Sequence, residues 1–351
     1  DVLQKSGIPL SAYCGRRGLC GKCEVKILEG NIPELTESEA RFFSGKAEAQ
    51  DHRLACLFNV EEHLTLLIPE TSLLPEAKIL KTGIRADITP DAPVKKYALS
   101  LKPASIQIPT SLADLLQDEL YLKDLEAGPE ILSRLADLHS DFGGSPGFTA
   151  VLFENQRLLD IEPGDTVEDC YGGALDVGTT TVAAELVHLI SGLSIRTEAS
   201  LNGQSQFGAD VISRLGYALE SPARRKELQK AVLQTANDLI DILCRETSIS
   251  SNLIYEVVLS GNTVMNHLFL DLPIQSLAAS PYNPVFTRIS SLPASQSGLN
   301  VHPAARLFVC PNIRSFVGGD ISAGLAAASF GKLKGNHIYI DLGTNGEIIL
   351  K

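Results

Sequence analysis

A chain of 351 residues is long enough for two or three domains, each able to bury a core. Its formal net charge of −12 argues against general nucleic-acid binding, although Arg16 and Arg17 leave room for a local basic patch. No apolar run approaches the roughly 20 residues of a membrane span and no secretory pattern opens the chain, so a cytosolic protein without nucleic-acid or membrane partners is expected.

In chain order, Asp1–Leu10 reads as a helix end and an approach loop. Tyr13–Cys23 is rich in Gly and Cys, without periodicity, and reads as a loop. Glu24–Leu28 alternates like a strand, and Thr36-Glu37-Ser38-Glu39 fits a capping box opening a short helix through Phe43. Arg53–Val60 and Leu64–Ile68 read as strands. Pro69–Pro93 has the prolines of a linker. A second unit starts with Val94–Ile108, followed by helical stretches at Leu112–Leu125 and Pro129–Leu138. A hairpin is expected from Phe148–Leu152 and Arg157–Ile161, and this unit carries no chemical motif. From Gly173 the texture becomes that of an α/β fold. Strands Ala174–Val177, Val182–Ile190, Glu256–Leu259 and Ile338–Ile340 alternate with helices Arg225–Glu246 and Ile321–Phe330.

Four of the seven cysteines are grouped as C-x5-C-x2-C-x32-C: Cys14, Cys20, Cys23 and Cys56. Outside an oxidising compartment such a group reads as metal or redox chemistry. Four thiolates suit two irons bridged by sulfides, and Gly15, Gly18 and Gly21 let backbone amides turn toward the sulfurs. The first gap is one residue longer than the plant-type spacing and is similar to that of adrenodoxin-like ferredoxins. A zinc site is the competing reading, but only one short cysteine knuckle is present. Cys170, Cys244 and Cys310 are isolated and read as packing residues. His267 and His302 likewise read as structural. A ferredoxin of this kind ordinarily has a hairpin ahead of its cluster loop. The short stretch before Cys14 and the opening Asp therefore lead to the expectation of a piece of a longer protein.

Two strand ends carry the same turn, Asp176-Val177-Gly178-Thr179-Thr180-Thr181 and Asp341-Leu342-Gly343-Thr344-Asn345-Gly346. Glycine lets amides approach phosphate oxygens, threonine hydroxyls donate to them, and the aspartates suit a hydrated Mg²⁺. Two such turns would clamp a polyphosphate from both sides. Neither a Walker loop nor a dinucleotide fingerprint is present. The turns resemble the two phosphate motifs of the actin, sugar-kinase and heat-shock-chaperone ATPase superfamily. Gly319-Asp320-Ile321-Ser322-Ala323-Gly324 resembles that superfamily's connecting helix, where an acidic residue polarises the attacking water. Asp320 holds the matching position, and helix capping is the competing role. Gly261-Asn262-Thr263 is placed to line a cleft or cap a helix. Asn202–Arg214 reads only as a loop and a cap.

Five stretches, C-G-R-R-G-L-C-G-K-C, L-D-V-G-T-T-T-V, S-G-N-T-V-M-N-H, F-V-G-G-D-I-S-A-G and I-D-L-G-T-N-G-E-I, are similar to the reductive activators of corrinoid proteins. The resemblance implies four parts. Residues 1–70 would be an N-terminally truncated β-grasp [2Fe–2S] ferredoxin, 71–93 a linker and 94–172 a small α+β domain. Residues 173–351 would be the first part of an actin-like (ribonuclease H-like) ATPase domain. It implies a [2Fe–2S] cluster on Cys14, Cys20, Cys23 and Cys56. It also implies ATP with Mg²⁺ held by Asp176, Gly178, Thr179, Thr180, Thr181, Asp341, Gly343, Thr344 and Asn345, with Asp320 orienting water. The implied activity is ATP-dependent one-electron reduction of Co(II) to Co(I) in a corrinoid protein of a methyltransferase system. An upstream electron donor is implied, and a homodimer is possible. A ferredoxin with a nucleotide-sensing domain, or a kinase with an accessory cluster, are the alternatives.

Overall fold

The computed structural model describes residues 3, 6, 8, 10, 11, 14, 16–46, 49–57, 59, 60, 62–73, 89–100, 110–141, 147–289, 291–343 and 346–351. Near the N-terminus, β1 (Glu24–Glu29), α1 (Glu37–Phe43), β2 (His52–Leu54) and β3 (Thr65–Leu67) form a three-stranded sheet with one helix, in the order β2-β1-β3. The capping box is present as read: Thr36 accepts from the Glu39 amide, and the Glu39 carboxylate accepts from the Thr36 amide at 2.9 Å. The predicted strand 53–60 stops at Leu54. There the chain turns, with Leu57 N–H donating to Leu54 O at 2.8 Å and Ala55 N–H to Cys23 O at 2.9 Å, which brings Cys56 to Cys23.

The middle unit is an antiparallel sheet of β4 (Val94–Leu99), β5 (Phe148–Phe153) and β6 (Arg157–Pro163), with α2 (Leu112–Glu119) and α3 (Pro129–Asp141) packed on it. Glu154 and Asn155, inside a turn closed by Gln156 N–H donating to Phe153 O at 3.1 Å, both take left-handed φ angles, of 53° and 52°, in the three-residue connection to Arg157. The helix expected over 112–125 ends at Glu119. Tyr121 turns left-handed, and the amides of Tyr121 and Leu122 bond back to Asp118 O and Gln117 O, the double closure of a Schellman motif.

The third unit is a six-stranded sheet. It contains β7 (Tyr171–Val177), β8 (Thr181–His188), β9 (Leu193–Leu201), β10 (Ile254–Gly261), β11 (Leu292–Pro293) and β12 (Arg306–Val309), in the order β11-β12-β10-β7-β8-β9. β7, β8 and β9 are an antiparallel meander; β10 and β12 run parallel to β7. The crossover into β10 carries α4 (Val211–Leu219) and α5 (Pro222–Thr247), and the one into β12 carries α6 (Thr263–Phe269) and α7 (Gln275–Ala278). One sheet face and these helices enclose the main core, from Leu175 and Val182 to Leu239 and Phe269. Beyond β12 come α8 (Gly319–Ala327) and the hairpin β13 (Ile338–Leu342)–β14 (Gly346–Leu350). The hairpin's outer face exposes Ile338, Ile340, Leu342, Ile348 and Leu350. Sequence reading missed β9, where charged and small residues break up the apolar positions, and the short strands β11, β12 and β14.

A buried polar network joins the middle unit to the large sheet. Lys96 Nζ donates to Glu162 Oε2 at 2.6 Å, and Tyr255 OH, on β10, donates to Glu162 Oε1 at 2.5 Å. His302 Nδ1 accepts from the Ala304 amide, so Nε2 carries the proton and donates to Asp160 Oδ2 at 3.0 Å. Lys96, Glu162, Tyr255 and His302 are all buried, and the charges are paired as burial demands. Among the described residues, no helix is long and apolar enough to cross a membrane.

Candidate functional site

The cysteines of the first unit are brought together as two pairs. Cys14 and Cys20 hydrogen-bond one another, and Cys23 Sγ lies 3.3 Å from Cys56 Sγ. Among the described residues, no three His, Cys, Asp or Glu side chains converge as ligands of a single ion. Two thiol pairs side by side fit two irons, one pair to each, better than one tetrahedral zinc. Backbone amides point at the sulfurs: Leu19 N–H reaches Cys14 Sγ at 3.4 Å, and amides of Lys22, Cys56 and Gly18 serve Cys20, Cys23 and Cys56. Such donors favour thiolates. The hydrogen bond between the two thiols brings Cys23 down to about 7, while the same bond, and then burial, push Cys56 up. Burial opposes the Cys14 thiolate, but the Leu19 amide and Cys20 outweigh it and lower its pKa; burial raises that of Cys20. Gly18 sits at a left-handed φ of 67°, which favours glycine, and a Cβ there would also push the tip of Leu57 aside, 2.6 Å away. Gly15 lies outside the described residues.

Glu39 was not foreseen as part of this site. It is 1% exposed, and beyond its capping role its Oε1 accepts from the Leu54 amide at 2.8 Å, two residues before Cys56. One carboxylate thus fixes both the helix start and the approach to the fourth cysteine.

The second site lies at the carboxyl ends of β7 and β10. Asp176 points from the sheet face opposite the main core and is open to solvent within a crowded cleft. That crowding first, then the charges of Asp320 and Asp341, push its carboxyl up to about 6. Burial and Asp341 likewise raise Asp320. The three aspartates expected from sequence therefore lie within electrostatic reach of one another, although Asp320 and Asp341 are far from Asp176 in the chain and the three do not together ligate one ion. Both glycine turns are hairpin turns, β7–β8 and β13–β14, with Asp176 opposite Ala183 and Asp341 opposite Glu347. Thr344 and Asn345 lie outside the described residues; Gly343 is exposed at the end of β13.

Asp320 does not cap its helix: Gly318 is the capping residue, and Asp320 lies inside the first turn with Oδ1 accepting from the Ile321 amide at 2.8 Å. A Cβ on Gly318 would stand 2.3 Å from Thr263 N, so this glycine allows the start of α8 to press on the start of α6. That close approach delivers Asp320 to the cleft.

The first turn is braced from behind. Asn202 Nδ2 donates to Gly178 O at 2.8 Å, the Asn202 amide to Thr180 O at 2.8 Å, and Arg214 Nη2 to Thr179 O at 2.5 Å. Thr179 is buried, and its hydroxyl accepts from Asn262 Nδ2 at 3.2 Å, while Thr180 is exposed and Thr181 half-buried. Thr179 therefore locks the turn to α6, and Thr180 is the most exposed of the three threonines. Asn262 caps α6 as well, accepting from the Met265 amide at 3.0 Å. Asn266, fully buried, ties Gly261 O to Asn312 Oδ1, and His267 donates from Nδ1 to Thr263 O. The S-G-N-T-V-M-N-H stretch is thus a scaffold behind the cleft. Arg214 escaped sequence reading altogether: a fully buried arginine that bonds to carbonyls, an amide and the Met265 sulfur leaves no pattern of spacing to find.

Fold and sites together define a ferredoxin-type iron–sulfur protein extended by an α/β unit with an acidic, glycine-turned cleft. Comparison with known proteins agrees. The family model for the 2Fe-2S iron-sulfur cluster binding domain matches residues 1–61, and that for the RACo middle region matches residues 171–332. The chain is 29% identical over 350 residues to the corrinoid activation enzyme RamQ of Eubacterium limosum, covering 99% of this chain and 55% of that protein. It superposes with a TM-score of 0.71 and 30% identity on the solved reductive activator for corrinoid, iron-sulfur protein, covering 99% of this chain and 57% of that one. Its first part is also 36% identical over 70 residues to a component of the Na(+)-translocating NADH-quinone reductase of Yersinia pestis (strain Pestoides F), covering 20% of this chain and 17% of that component. The chain is thus similar over its whole length to two activators of corrinoid proteins, and it spans a little over half the length of each.

Proposed function

We propose that this chain carries the redox site and one side of the nucleotide site of an ATP-dependent activator. That activator would reduce a Co(II) corrinoid protein to Co(I) by one electron. The supporting observation is the convergence of Asp176, Asp320 and Asp341, in a chain that also pairs Cys14 with Cys20 and Cys23 with Cys56.

When bound, a [2Fe–2S] cluster supplies one-electron chemistry at low potential. Cys14, Cys20, Cys23 and Cys56 would ligate it, their amide donors favouring the reduced, more negative state. At the cleft, Asp176 and Asp341 would hold Mg²⁺. The amides of Gly178 and Gly343, with Thr180 and Thr181, would meet phosphate oxygens, and Thr344 and Asn345 would complete the second turn. Thr179 would hold the first turn in shape. Asp320, raised in pKa and set in a helix turn, would orient and deprotonate the attacking water. Hydrolysis would provide the drive that a ferredoxin lacks for Co(II), by coupling between two sites.

The test is anaerobic assay of the whole protein with a Co(II) corrinoid protein, following phosphate release and the Co(I) absorption band together. Both are expected, and Asp320→Asn should abolish phosphate release while the reduced sample keeps its rhombic S = 1/2 EPR signal. No ATP turnover in the presence of the Co(II) partner would sink the proposal. Cobalt reduction without turnover would support a simple electron-transfer protein instead.

A further inference from the structure

The segment 202–214 braces the nucleotide turn on one side and meets the cluster loop on the other. Asn202 and Arg214 take the carbonyls of Gly178, Thr179 and Thr180. Four residues after Asn202, Gln206 O accepts from Arg16 Nε at 3.1 Å, and the Arg16 guanidinium lies 5.9 Å from the centre of the Phe207 ring. Arg16 belongs to the loop between Cys14 and Cys20, at a left-handed φ of 63°, and its neighbour Arg17 donates to Cys14 O at 2.9 Å. The segment itself is stiff. Asn202, Gln204 and Arg214 are 0% exposed, Gln204 Nε2 bonds to Leu228 O and the Gly203 amide to Thr235 Oγ1, both on α5, and the Phe207 ring packs on that of Tyr217 at 4.9 Å. A guanidinium bonded to a carbonyl over an aromatic face is a specific docking contact.

We propose that residues 202–208 form a seat for the cluster loop, and that ligand bound at the Gly178–Thr181 turn sets how firmly Arg16 is held there. The physical path is short: an anion on the turn amides shifts carbonyls gripped by Asn202 and Arg214, and the same buried bracket carries Gln206 O and Phe207. One rigid element facing both sites is the minimum a coupling between them needs. Seating also covers the cluster loop, so the cluster's exposure becomes a readout of the nucleotide turn. This inference rests on the nucleotide reading proposed above.

The experiment uses the whole protein with its cluster, kept anaerobic. Two quantities are measured separately: affinity for a fluorescent ATP analogue, and the first-order rate of iron release to a bulky hydrophilic chelator with and without a non-hydrolysable ATP analogue. In the unaltered protein, the analogue should change iron release by about fivefold, the low end of ordinary coupling between sites. Arg16→Ala should release iron faster, at a rate that no longer responds to nucleotide, while nucleotide still binds with an affinity changed by no more than the same factor of about five. Gln206→Arg leaves the ferredoxin sequence intact, sets a like charge against Arg16 and should behave the same way, which separates lost docking from a damaged cluster loop. Nucleotide binding with identical iron-release responses in all three proteins overturns the seat. Absence of nucleotide binding overturns the nucleotide reading and the coupling with it.

Discussion

Glu256 shows how burial alone sets a residue's chemistry. It lies on β10 with Oε2 buried and unpartnered, and desolvation pushes its carboxyl up to about 7. Because the folded pKa exceeds the unfolded one, folding binds a proton between the two values, and stability falls as pH rises from about 4.3 to about 7. Glu256→Gln should therefore stabilise the protein by about 1–3 kcal/mol at pH 8. The gain should vanish below about pH 3.3, a unit under the unfolded value, where glutamate is protonated in both states. Thermal melts of the two proteins across that range check it; equal gains at both ends would refute it. The four cysteines and the three aspartates stand out in sequence as candidates because their motifs are local and their chemistry narrow. Arg214, Glu39 and Asn266 could not, since each acts through backbone groups brought near only by the fold.

Among elements, α1 carries more than its length suggests. Its capping residue, its third residue Glu39 and the amide of Leu54 form one connected set ahead of Cys56. Glu39→Ala removes an N-terminal cap partner and leaves a buried amide unpaired, at a cost of about 2–3 kcal/mol. Retained iron after anaerobic purification should fall with it, whereas Glu39→Gln, which keeps an acceptor for Leu54, should hold most of its iron. Equal iron in all three would show that the helix cap does not support the cluster loop. The capping box and the 154–156 turn were legible in sequence because side chain and backbone interact within three residues. The strand expected over 53–60 was not a strand past Leu54, because the turn that carries Cys56 to Cys23 is set by a bond to Cys23 O, far away in the chain. Likewise the helix expected over 112–125 ends early at a left-handed tyrosine, a terminus that no glycine announces.

At the scale of the molecule, the middle unit, silent in sequence, is fastened to β10, beyond whose far end Asn262 reaches the turn at the acidic cleft. Lys96→Met would leave Glu162 buried with only hydroxyl partners, at about 3–5 kcal/mol, while Tyr255→Phe should cost about 1–3 kcal/mol. Denaturant unfolding followed by two probes, one in each unit, should be coincident in the unaltered protein and split in Lys96→Met. Coincident transitions in that variant would mean the network does not fasten the units.

The outer face of the β13–β14 hairpin has a practical consequence for anyone handling this chain. Ile338 stands opposite Leu350 and Ile340 opposite Ile348, with Leu342 beyond them on the same face, all open to water. A flat aliphatic surface on a short sheet is a template for self-association. Light scattering of this 351-residue chain should show particles that grow with concentration, and Ile340→Lys with Ile348→Glu should return it to a single small species.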